Sequence, residues 1–314
     1  MADDNQQDLF AGPPAIKPLS RVQRRLIRSA VAIEADDPEA ILYQHTVFCQ
    51  TGLPYRDPGK TARLWQRSQG AAHLEVEAGR AFHPEKDAFV DVGLPFGPKP
   101  RLILAYLNAE AIRTGSPVVE VEDSLSAFVQ RIGLSRDGRS IRAVKDQLTR
   151  LATAEIRLAL AIPGTPAKQV QAHIVKGFEL WLPKDARQRV LWPSNVTLST
   201  DYFESLAKHA VPLDERAIAA LSHSAMALDL YCWLAQRLHR VEYGKSAFIP
   251  WSALKTQFGW HYTAMFKFRQ VFRQTLDLVC SQYRGARIEL DGRGMTLRNS
   301  PSPVKGRVFL VSKA

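Results

Sequence analysis

Residues 123–162 read "DSLSAFVQRIGLSRDGRSIRAVKDQLTRLATAEIRLALAI". Asp123 or Ser124 is placed to cap a short helix, "SRDG" supplies a tight turn, and "RSIRAVKDQLTRLA" has the pattern of a second helix. In that second helix Ile141, Val144, Leu148 and Leu151 are spaced three, four and three apart, which defines a buried face. Arg139, Arg142 and Lys145 recur every three residues on another face, and Arg136 lies in the turn before them. Two β-prone runs follow, "AEIRLALAI" and "QVQAHIVKGFELWL", joined by "PGTPAK". Two short helices, a tight turn and a β-hairpin form the winged-helix version of the helix-turn-helix.

Upstream, "GPKPRLILAYLNAEAIRTG" places Leu102, Ala105, Tyr106, Ala109 and Ile112 on one helical face, and "PVVEVE" reads as a short strand. The same order returns downstream. "SAMALDLYCWLAQRLHRV" is apolar around most of its circumference, "FIPWSALKTQFGW" reads as a strand and a helix, and "HYTAMFKFRQVFRQTLDLVCSQY" as a long helix. "ARIELDGRGMTLR" follows as a hairpin with Asp-Gly at its turn. In the long helix Met265, Phe268, Phe272, Leu276 and Val279 form the core face. Thr263, Lys267, Gln270 and Gln274 form a polar face flanked by Arg269 and Arg273. His261 and Tyr262 at its start either touch phosphate or cap and pack.

The sequence thus predicts an α+β protein of tandem winged-helix domains. Residues 1–18 form a disordered tail, 19–39 a basic helix, 40–183 the first winged-helix domain and 190–314 the second, with the polar "LPKDARQRVLWPS" as connection. In the basic helix Arg21, Arg24, Arg25 and Arg28 oppose an apolar face. "NVTLS" reads as a strand before "DYFESLAKHA" and "PLDERAIAAL". Residues 41–49 are β-prone, and "RLWQRSQGAAHLEVEAG" alternates like a hairpin.

A net charge of +11 points to a polyanionic partner, and the two equivalent polar helices place that charge where duplex DNA is read. Lys, Arg and Gln are the types that reach phosphates and base edges. In the hairpins, Arg157, Lys168, Arg287, Arg293 and Arg298 either follow the DNA backbone or face water. "GLPYRDPGKT" at 52–61 ends like a phosphate-binding loop, but Pro54 stands where that loop needs its first glycine, and Pro54 and Pro58 lack the N–H donors of which the cradle is made. No nucleophile elbow, zinc-ligand pair or carboxylate cluster suggests an enzyme. Cys49, Cys232 and Cys280 are too scattered for a zinc site or a disulfide framework, so no cofactor is expected. No run long enough to span a membrane is present, and a cytoplasmic location is expected.

The stretches "GLPYRDPGK", "LPFGPKPRLILAYLNAEAIRTGSPVVEV" and "DSLSAFVQRIGL" resemble the RepA/TrfA-type plasmid replication initiators. The resemblance spans roughly residues 40–300. It implies a tandem winged-helix initiator that binds repeated duplex sites (iterons) at a plasmid origin, dimerises to repress, and recruits host replication proteins such as the helicase and the host initiator. The alternatives are a transcriptional repressor of the same fold and a DNA nicking or joining enzyme. In the tail, Gln6, Leu9 and Phe10 of "QQDLF" resemble the pentapeptide with which bacterial replication proteins dock into the sliding clamp, departing from it at Gln7.

Overall fold

Two helices without a solvated face organise the molecule. The first, α3 (Pro98–Thr114), starts behind Gly97 with prolines in its first turn and ends on Gly115 in the left-handed conformation. Proline costs nothing where the helical N–H has no partner, and glycine reverses the chain without strain. Residues 100–109 are all buried. The second, α8 (Ala225–Arg237), is buried from Ala225 through Gln236. A helix buried all round is a core helix.

The computed structural model describes residues 19–59, 61–83, 86–120, 125–161, 168–172, 174–177 and 195–304, and its architecture is α+β. After α3 come β6 (Val118–Glu120), α4 (Leu125–Arg131), α5 (Gly138–Thr153), β7 (Glu155–Leu160) and β8 (Lys168–Ala172). After α8 come β12 (Ser246–Pro250), α9 (Trp251–Phe258), α10 (Met265–Gln282), β13 (Ile288–Leu290) and β14 (Gly294–Arg298). Both runs read helix, strand, helix, helix, two strands.

Their strand pairing differs. In the second run the three strands form one antiparallel sheet, ordered β12-β14-β13. In the first, β7 pairs with β8 and also with β3 (Ala72–Glu77), which pairs with β2 (Leu64–Gln69). There β6 joins β10 (Asn195–Leu198) and β9 (Val175–Gly177) instead. A separate hairpin joins β4 (Arg80–His83) to β5 (Ala88–Asp91).

Residues 41–49 are not one strand, as their β-propensity suggests. β1 (Ile41–His45) passes straight into α2 (Thr46–Thr51), because the His45 ring nitrogen Nδ1 accepts the Val47 N–H at 3.2 Å and burial of Val47, Phe48 and Cys49 outweighs local propensity. β1 pairs antiparallel with β11 (Ala210–Asp214), from Ile41 opposite Asp214 to His45 opposite Ala210. "PLDERAIAAL" is accordingly divided. Its first residues end β11, and α7 (Glu215–Leu221) begins behind Asp214, whose carboxylate accepts the Arg216 N–H at 2.8 Å. α6 (Thr200–His209) precedes β11.

The basic helix α1 (Arg21–Ala35) opens with a reciprocal capping box between Ser20 and Gln23. It lies on α7 and α10. Gln282 donates to the Leu26 carbonyl at 3.0 Å, and Arg216 to the carbonyls of Ala32 and Asp36 at 2.8 and 3.0 Å. The pairings β1–β11 and β6–β10 tie residues on either side of the 183–190 connection into one hydrophobic core. That connection, like the residue 1–18 tail, lies outside the described residues.

Candidate nucleic-acid interface

Asp137 begins α5. Its carboxylate accepts the Ser140 N–H at 2.8 Å and a bond from the Ser135 hydroxyl, and these bonds hold it down to about 2. Val144, Leu148 and Leu151 are buried and Ile141 packs against the core. On the other side Arg136, Arg139 and Arg142 are exposed and Lys145 is half-buried. Among the described residues none of these four forms an ion pair. The far end of α5 is fastened by Arg150, which reaches Asp146 at 2.9 Å and the Leu94 carbonyl at 3.1 Å while lying 5.0 Å over the Phe96 ring. The helix is therefore anchored at its C-terminal end and basic at its N-terminal end.

In α10, Phe268, Phe272, Leu276 and Val279 are buried and Met265 packs on the core. Thr263, Lys267, Gln270, Arg273 and Gln274 are exposed, and Lys267 donates to the Gln270 side-chain oxygen at 3.0 Å. The two flanking arginines are held by one ring: the guanidinium groups of Arg269 and Arg273 lie 5.3 and 5.6 Å over Trp251. That indole is itself buried and donates to the Asp291 carbonyl at 3.0 Å. Stacking on an indole face orders a long cationic side chain before any partner arrives. Arg269 is half-buried in this arrangement, whereas Arg273 stays exposed.

His261 and Tyr262 take part in a ring cluster. The His261 ring lies 4.1 Å from Tyr262, 5.5 Å from Tyr55 and 5.3 Å from Trp260. Burial, and next the nearby Arg56, hold its pKa below the ordinary histidine value. Of the hairpin charges, Arg157 is taken up by Glu75, Glu77 and Glu155, and Arg298 by Glu289 at 3.0 Å. Arg287 and Arg293 are exposed, Arg293 beside Asp291 at 3.4 Å. The Lys168 side chain lies outside the described residues, as do Gln6, Leu9 and Phe10.

One exposed residue of α10 escapes sequence reasoning. Phe266, 76 % exposed, sits one position after Met265, off the core spacing and among the polar residues.

The stretch "GLPYRDPGKT" turns out to be a junction. Arg101 of α3 donates from Nε and Nη2 to the two Asp229 oxygens of α8 at 2.6 and 2.7 Å, and to the carbonyls of Leu53 and Gly97 at 2.6 Å each. Its guanidinium lies 5.4 Å over Tyr55. Gly52 has φ 73°, and a Cβ there would run into the Asp229 carboxylate. The segment points carbonyls inward to an arginine, the opposite polarity to a phosphate cradle. Lys60 lies outside the described residues.

Among the described residues no group of His, Cys, Asp and Glu could hold a metal ion, and no helix is long and apolar enough to cross a membrane. Fold and surface together define an α+β protein with a repeated helix–strand–helix–helix–hairpin order and a basic or polar face on the last helix of each run. Residues 94–252, half of the chain, match the family described as plasmid encoded RepA protein, and the chain belongs to that plasmid replication family. The match begins at the "LPFGPKPR" block and ends at the start of α9. The crystal structure of domains 2 and 3 of RctB is similar in fold, with a TM-score of 0.50, 10% sequence identity, and coverage of 83% of this chain and 99% of that one. A second structure of RctB domains 2–3 aligns with a TM-score of 0.49 at 12% identity, covering 80% of this chain and 94% of that one. No curated protein matches the sequence.

Proposed function

We propose that each helix–strand–helix–helix–hairpin run is a winged helix, and that the chain binds repeated duplex sites at a plasmid origin as a replication initiator. The observation that carries this reading is the pair α5 and α10. Each follows a helix and a turn, precedes a hairpin, buries one face and presents the other with exposed Arg, Lys or Gln. In a helix-turn-helix the second helix enters the major groove, and these side chains reach phosphates and base edges there. Membership of the plasmid replication family supports the origin as the place where the sites lie.

In this reading the chain does no chemistry of its own. It marks the origin and gathers host replication proteins there, with Gln6, Leu9 and Phe10 offering a sliding-clamp contact. The test is genetic. A plasmid carrying the cognate origin and no other replicon should replicate in cells supplied with this chain and disappear from cells without it. Repression of a promoter without any support of replication would contradict the initiator role.

A further inference from the structure

We infer that Phe266 reads the 5-methyl group of a thymine in the major groove. The inference rests on the reading of α10 as a DNA-entering helix and adds to it a base-specific contact.

Phe266 is the second residue of α10, and the N-terminal residues of a recognition helix are the ones that meet base edges. Phe266, Gln270 and Gln274 are spaced by four, so they line one edge of the helix, and all three are exposed. Lys267, Arg269 and Arg273 lie around that line, and the two arginines are already ordered on Trp251. A surface ringed by cations is poorly suited to an apolar protein patch and well suited to DNA. Within the major groove the thymine methyl is the apolar group available to a phenyl ring, while Gln is the residue type that pairs with adenine. An exposed ring in a line of amides thus fits a base pair that offers a methyl beside donors and acceptors.

The test uses the full chain and the tightest duplex it selects from a random-sequence duplex pool. Each thymine is replaced in turn by deoxyuridine, which removes the 5-methyl and leaves the hydrogen-bonding edges and the phosphates unchanged. Wild-type binding should weaken about three- to fivefold at one thymine or two neighbouring ones, the loss expected for one methyl group left in water. Phe266→Ala should lose the same factor on the thymine duplex and bind thymine and deoxyuridine duplexes alike. Equal wild-type affinity for all the substituted duplexes, or thymine preference persisting in Phe266→Ala, overturns this inference and leaves the broader reading of α10 standing. Failure of the full chain to select any duplex overturns both.

Discussion

Arg101 is the residue on which the two central helices depend. Its guanidinium satisfies a carboxylate of α8 and the backbone carbonyls of Leu53, Pro54 and Gly97 at once, inside the core. Removing one partner of such a pair leaves a buried charge alone, so Arg101→Met should lower unfolding stability by about 3–5 kcal/mol in urea titration. Adding Asp229→Leu should recover only part of that loss, because the buried carbonyl of Leu53 stays without the Arg101 donor. Full recovery would mean that the ion pair alone matters. A different residue sets acid sensitivity. Burial, and next the charge of nearby His209, push the His45 ring down to about 3, and its two nitrogens are used by the Val47 N–H and the Ser205 hydroxyl. Its unfolded form binds a proton near the ordinary histidine pKa and its folded form only near 3, so this stability is whole above about pH 6.5 and declines as pH falls toward 3. The decline should be on the order of 5 kcal/mol at the acid limit, and His45→Gln should flatten the dependence of the urea midpoint on pH between about 6.5 and 4. An unchanged profile would assign the acid transition to other groups.

Charge reversal at Arg139, Arg142 and Lys145 should weaken binding to the selected duplex and reduce the steepness of its log–log salt dependence by about one unit for each phosphate left unneutralised. In α10, Gln270→Ala or Gln274→Ala should cost roughly 1–3 kcal/mol at particular base pairs, where the Arg139, Arg142 and Lys145 changes act evenly across sequences. Fluorescence anisotropy over a salt series and a panel of single-base variants separates the two behaviours. If the triple variant remains folded with wild-type affinity and slope, α5 leaves the interface. These faces were legible in the sequence because helical periodicity separates Ile141, Val144 and Leu148 from Arg139 and Arg142 without tertiary information. Two other elements were not legible. The helix at 46–51 arises because the core captures β-prone residues, and β1 pairs with β11 across more than half the chain, a pairing with no local signature. Phe266 escaped for the same kind of reason: an aromatic residue off the core spacing has no meaning until its exposure is known.

At the scale of the whole molecule, α3 and α8 are joined by one buried ion pair, β1 and β11 form a shared ribbon, and α1 is strapped over α7 and α10. Helices α5 and α10 therefore belong to one continuous core. Leu53 and Tyr55 lie far in sequence from Gly97 and Arg101, and the fold brings all four together at the Arg101 junction. In the proposed reading this core grips each origin repeat with both helices, and a hydroxyl-radical footprint over the origin of its plasmid, using wild type, the α5 charge-reversal variant and Gln270→Ala/Gln274→Ala, maps that grip. Wild type should protect direct repeats, with each variant failing to protect a different part of every repeat; absence of repeated protection, or failure at the same positions in both variants, would rule out that grip.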